Sequence, residues 1–124
     1  MLEFEVKKLE ELGVERERTL NRFMGNEKLY LEFLRKFPVD KIYEGLHKNI
    51  LHKNFENAFK CAHTLKGVVA NLGLGHLMQP VYALTELLRQ PPYRETSILK
   101  EMKRVEKHYN KVLKIINEWE IWNG

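Results

Sequence analysis

A chain of 124 residues, 44% apolar and 31% charged, is long enough for one domain with one core and too apolar for a disordered chain. Its single cysteine, Cys61, excludes an intrachain disulfide and suits a reducing compartment. Charged residues interrupt the N-terminal segment, which excludes a signal peptide, and no run approaches the roughly 18 apolar residues of a membrane span. The expected location is therefore the cytoplasm, with no membrane association. The formal net charge of +4 is a mild excess that favours an acidic partner.

Hydrophobic spacing is helical from end to end. Leu2, Val6 and Leu9 predict a short first helix, separated at Gly13 from a second that ends on Leu20, Phe23 and Met24. Gly25-Asn26 closes that segment, and the Asn26 side chain is placed to cap the next. There Leu29, Tyr30, Phe33, Leu34 and Phe37 cover one side, and Pro38 is the expected stop. Ile42, Tyr43, Leu46 and Ile50 define a fourth helix. Asn54 is the expected cap of a fifth, which carries Phe55, Phe59, Ala62, Leu65, Val69 and Leu72.

Leu74, Leu77, Val81, Leu84 and Leu88 repeat the pattern in a sixth helix. Pro80 lies within that stripe. Either the helix starts near His76, which puts Pro80 around its first turn, or it is kinked there. Pro91-Pro92 forces a loop, and Thr96 or Ser97 can start the last helix. Its stripe of Ile98, Met102, Val105, Tyr109, Val112, Ile116 and Trp119 alternates steps of four and three over about 25 residues. On the same helix Lys100, Lys103, Lys107, Lys111 and Lys114 form a basic file. A solvated face is the preferred reading of it, ahead of a docking surface for an acidic protein. No aromatic residues are interleaved to stack on bases, so nucleic acid is not an expected partner.

Short loops between helices favour antiparallel neighbours. The expected fold is all-α: an antiparallel up-down four-helix bundle with additional short N-terminal helices, in a single domain over 1–124. The starting Met and the lack of a linker suit a free-standing chain.

Several chemistries lack their residues. There is no phosphate-binding loop, and Gly73-Leu74-Gly75 is only a fragment of a nucleotide pattern. No Cys-x-x-Cys pair or His-Glu-x-x-His helix suggests a metal, and His47 and His52 are spaced to face different sides of a helix. No metal and no cofactor are expected on this chain. His63 stands apart. On a helix His63, Lys66, Gly67 and Ala70 share a face, rotated away from the Ala62, Leu65, Val69 and Leu72 stripe. Neutral imidazole attacks phosphorus through a ring nitrogen without a separate base. Lys66, one turn on, can pair with the phosphoryl oxygens, and Lys60, one turn back, adds positive potential. Gly67 has no side chain, and a mid-helix Gly costs roughly 1 kcal/mol relative to Ala. That cost makes sense where a partner must bring its reactive group close to His63.

Together these residues resemble the histidine-containing phosphotransfer (HPt) domain, whose core pattern is His-x-Leu-Lys-Gly followed six residues later by Gly. His63, Leu65, Lys66, Gly67 and Gly73 occupy those places. The resemblance implies that His63 is the phosphoacceptor, that Lys66 supports the phosphoryl group, and that Gly67 leaves room for a response-regulator receiver domain. It also implies that the partner supplies the aspartate and Mg²⁺, that Arg89 helps from the next helix, and that a hybrid histidine kinase stands upstream. Many family members carry an amide at the position of Thr85, so this chain lacks that source of an orienting hydrogen bond to His63. The implied function is a phosphorelay intermediate with no kinase activity of its own. A helical adaptor that binds a receiver or kinase without carrying phosphate is the alternative, and a basic nucleic-acid-binding bundle is a third.

Overall fold

The computed structural model describes residues 1–37 and 41–123, with side chains described through 119. Among the described residues the chain is all-helical and has no strand. Its helices are α1 (Glu3–Glu11), α2 (Arg16–Arg22), α3 (Glu27–Lys36), α4 (Ile42–Leu51), α5 (Phe55–Leu72), α6 (Gly75–Leu88) and α7 (Glu95–Asn123). The main packing runs in chain order, α4 on α5, α5 on α6 and α6 on α7, with α2 and α3 also touching α5.

The periodic residues form the core. All seven apolar residues named on α7 are buried, as are Leu77, Val81, Leu84 and Leu88 on α6 and Leu74 at its N-cap. So are Ala62, Leu65, Val69 and Leu72 on α5. Burial of these side chains, at roughly 1.5–3 kcal/mol each, outweighs the modest helix propensity of their β-branched members. α1 covers the far end of α7. Phe4 meets Trp119 edge-on at 6.3 Å, and Lys8 Nζ lies 2.9 Å from the Glu118 carboxylate. Tyr43 of α4 stacks on Tyr109 of α7 with ring centroids 3.8 Å apart.

Several local expectations need correction. Asn26 does cap α3, accepting the Leu29 N–H at 3.0 Å, but Asn54 makes no such bond at the head of α5. Met24 is fully outside the core because it follows the end of α2 with a left-handed backbone, and it is 91% exposed. Leu2 and Phe33 are also exposed, although Phe33 keeps a 5.7 Å ring contact with Phe23. α6 begins at Gly75, next to the expected start near His76, and Pro80 falls just past its first turn, where it removes the donor that the His76 carbonyl would otherwise receive. α7 begins at Glu95, ahead of both proposed starters. The expected stop at Pro38 lies outside the described residues.

The lysine file on α7 is solvent-exposed along its length. Burial, then the nearby charges of Lys107, His76, Arg104 and Lys111, hold the His108 imidazole below its ordinary range. Among the described residues, no helix is long and apolar enough to cross a membrane.

The C-terminal end of α5 is held unusually firmly. Gly73 closes it in the left-handed conformation at φ 71°. The Tyr30 hydroxyl donates to the Leu72 carbonyl at 2.8 Å. The Arg22 guanidinium donates to the Ala70 carbonyl at 2.8 Å and the Asn71 carbonyl at 3.2 Å. These bonds supplement the backbone at the helix end, where the Ala70 carbonyl also accepts the Gly73 N–H, and the cation suits the negative end of the helix dipole.

Burial pushes the Tyr30 hydroxyl above the ordinary tyrosine range and the Tyr43 hydroxyl up to about 12. An unfolded tyrosine ionises near about 10. The folded chain thus keeps protons that the unfolded chain loses. The stability this gives is fully present below about pH 10 and is lost as pH rises from there toward about 12. Urea midpoints should fall above about pH 10, with a slope of up to about 1.4 kcal/mol per pH unit for a buried tyrosine. Tyr30→Phe should be about 1 kcal/mol less stable at neutral pH and show a shallower alkaline fall. An alkaline profile identical to wild type would remove Tyr30 from this account.

Candidate functional site

His63 lies midway along α5 on the side turned from the core, and its imidazole is exposed. Ala62 and Leu65, either side of it in sequence, are buried, so the backbone beneath the ring is anchored. Among the described residues no group hydrogen-bonds the imidazole. Thr85, at the position where an amide would be sought, is fully buried and donates its hydroxyl to the Val81 carbonyl of its own helix at 2.7 Å. It therefore serves the interior of α6 and leaves the histidine ring without an orienting partner.

The face around His63 is built from two helices. Gly67, one turn toward the C-terminus, is exposed, and a β-carbon added there would meet nothing within 4 Å. Helix packing therefore does not require this glycine. Lys66 places its ammonium 5.1 Å from the centre of the Tyr82 ring of α6, over its face. Such a cation–π contact is worth about 0.5–1 kcal/mol at an exposed site. Phe59, one turn before His63, has its ring 5.9 Å from the imidazole at 45°. The Arg89 guanidinium stands 5.1 Å from that same Phe59 ring. Arg89 caps the end of α6 and gives two hydrogen bonds to Glu86, from Nε at 3.2 Å and from Nη2 at 2.8 Å.

Of the residues expected from the sequence, His63, Lys66, Gly67 and Arg89 thus fall on one surface. Lys60 is exposed a turn away, and among the described residues its ammonium forms no ion pair. Ala70 is half-buried near the end of α5, where Arg22 binds its carbonyl. Phe59, Tyr82, Glu86 and Arg22 had not been anticipated as neighbours of the site. Phe59 reads in sequence as one more member of the core stripe, yet it is only half-buried and forms the rim. For Tyr82 and Glu86 the available signal was their spacing, since Tyr82, Glu86 and Arg89 recur at four and three residues off the Leu74–Leu88 stripe.

The electrostatics follow from this crowding. The hydrogen bonds from Arg89, and secondarily the charges of Arg89 and Lys66, hold the Glu86 carboxyl below the usual carboxylate range. Glu86 in turn raises Arg89 above its already high value. Among the described residues no group of three or more His, Cys, Asp or Glu side chains is placed to hold a metal ion. The arrangement offers an accessible nucleophile, cations resting on aromatic faces, and a gap in the side-chain layer beside the nucleophile. No family model, curated protein or solved structure matches the chain.

Proposed function

We propose that this chain is a histidine phosphotransfer module of a two-component phosphorelay, working in the cytoplasm, with His63 as the residue that accepts and passes on the phosphoryl group. In this reading α4 to α7 form an antiparallel four-helix bundle, α1 to α3 are N-terminal additions, and the partners are receiver domains, with a hybrid histidine kinase upstream. The observation that carries it is the open space over Gly67 beside an exposed, anchored imidazole.

The transfer would run in line. A ring nitrogen of His63 attacks phosphorus as the bond to the receiver's aspartyl oxygen breaks, and the reverse step hands the group to another receiver. Such steps depend mainly on positioning and on stabilising charge. The chain contributes a fixed nucleophile and the Lys66 cation. The partner contributes the aspartate and Mg²⁺. With no nucleotide-binding motif, the module has no kinase activity of its own.

Lys66 separates a role in transfer from a role in the fold. Its ammonium rests on an exposed ring, so Lys66→Ala should cost no more than about 1 kcal/mol of stability. Loss of a cation at a developing phosphoryl charge should slow transfer from a phosphorylated receiver about tenfold or more. Rapid-quench transfer kinetics and a thermal melt on the same preparation check both halves. Normal transfer with a large drop in melting temperature would assign Lys66 to the structure instead.

A further inference from the structure

Glu86 has no part in the transfer described above, yet it is bound to Arg89, the cation on the Phe59 ring beside the histidine. Arg89 gives it both Nε–H and an Nη2–H, the side-on edge of the guanidinium. That is the same paired edge with which arginine grips a phosphoryl group. While Glu86 holds it, a phosphoryl group could take only the remaining N–H donors of Arg89. Lys66 sits over the ring of Tyr82, one turn before Glu86 on the same helix. Tyr82, Glu86 and Arg89 are all exposed on α6, and the Phe59 ring links Arg89 to His63. The cluster is complete before any phosphate arrives.

We propose that Glu86 is a positioning residue that competes with phosphorylated His63 for Arg89, and so limits how tightly the phosphoryl group is held. The inference rests on the phosphotransfer reading of His63. A phosphohistidine brings about two negative charges and three acceptor oxygens to this face. To gain the side-on edge of Arg89 it must displace a bidentate carboxylate. Glu86 also repels it directly. A relay module benefits from such a brake, because a group held too firmly on His63 would not move to the next receiver.

The test is an equilibrium measured on the full chain with phosphoramidate. The His63 nitrogen forms a bond to phosphorus while the bond from phosphorus to the amino nitrogen breaks. The displaced imidazole proton leaves with ammonia as ammonium. At a fixed ratio of phosphoramidate to ammonium, phosphorus NMR reads the fraction of phosphohistidine. Glu86→Gln should raise the equilibrium constant roughly twofold to fivefold, the range expected for one exposed charge pair. Arg89→Gln should lower it. In an Arg89→Gln background, Glu86→Gln should give a clearly smaller gain, because part of its effect runs through Arg89. Melting temperatures should stay close together, since both side chains are exposed.

An unchanged constant in Glu86→Gln overturns the proposal while leaving the phosphotransfer reading intact. An equal gain with and without Arg89 also overturns it, because Glu86 would then act only as a distant charge. Absence of phosphohistidine at His63 in the wild type is a different failure, since it overturns the phosphotransfer reading and the inference together.

Discussion

Gly67→Gln should fold normally and yet lose most of its exchange with receiver domains. Position 67 is one turn from His63, and a β-carbon there meets no atom within 4 Å. Gln is a better helix former than Gly by several tenths of a kcal/mol, so the melting temperature should hold or rise. The new side chain would project into the space beside the imidazole. In the proposed transfer a receiver aspartate comes within bonding distance of the histidine, and displacements of about 1 Å can cost about a hundredfold in rate. Transfer from a phosphorylated receiver should therefore fall by about that factor. Phosphoramidate is small enough to reach His63 past the glutamine, and labelling by it should persist. The contrast between donors is the measurement. Wild-type exchange with receivers would mean that docking uses another face, and failure with both donors would mean that the glutamine disturbs His63 itself.

At the C-terminal cap of α5 a glycine substitution should have the opposite effect on stability. Gly73→Ala places a methyl group on a residue with φ 71°, a conformation that costs an L-residue about 1–2 kcal/mol. The methyl would also overlap the buried Thr19 side chain, with Oγ1 as the closest atom. Thr19 belongs to the helix that carries Arg22, so relief of the clash would pull Arg22 from the α5 carbonyls. A total loss of about 2–4 kcal/mol is expected, by urea denaturation. Adding Thr19→Ala removes the nearest atoms and should recover part of the loss, leaving the backbone cost. A Gly73→Ala protein as stable as wild type would show that α2 yields freely and does not brace this helix end.

The two glycines differ in how far the sequence could distinguish them. Both stood in one motif, and helical spacing alone placed Gly67 beside His63. The need for Gly73 comes from a backbone turn and from Thr19, which is distant in sequence, and only the fold brings them together. The same division holds elsewhere. Ile98 to Trp119 could be read as one buried stripe because an amphipathic helix repeats its own signal every turn. Which helix would cover that stripe could not be read, because periodicity names a face and no partner. Met24 and Phe33 matched the apolar pattern and still lie exposed, Met24 because the chain turns left-handed past the end of α2, and Phe33 because the apolar stripe of α3 is wider than the face that the core covers. Asn54 carries the side chain of a cap without making its bond, because capping depends on the backbone leading into the helix. At the site, His63, Lys66 and Gly67 were legible as neighbours on one helix. That Tyr82, Glu86 and Arg89 share a face could be read from their spacing, but that this face adjoins His63 required the packing of α6 on α5, which the spacing within either helix does not specify.

The central claim is that His63 carries the phosphoryl group. The most direct measurement is to incubate the chain with radiolabelled, phosphorylated receiver domains and to map the acid-labile label. It should appear on His63 and vanish in His63→Gln. Variants at His47, His52, His76 and His108 should keep it. A His63→Gln protein that still takes up the full label would contradict the account, as would a wild-type chain that binds the receivers and never acquires phosphate.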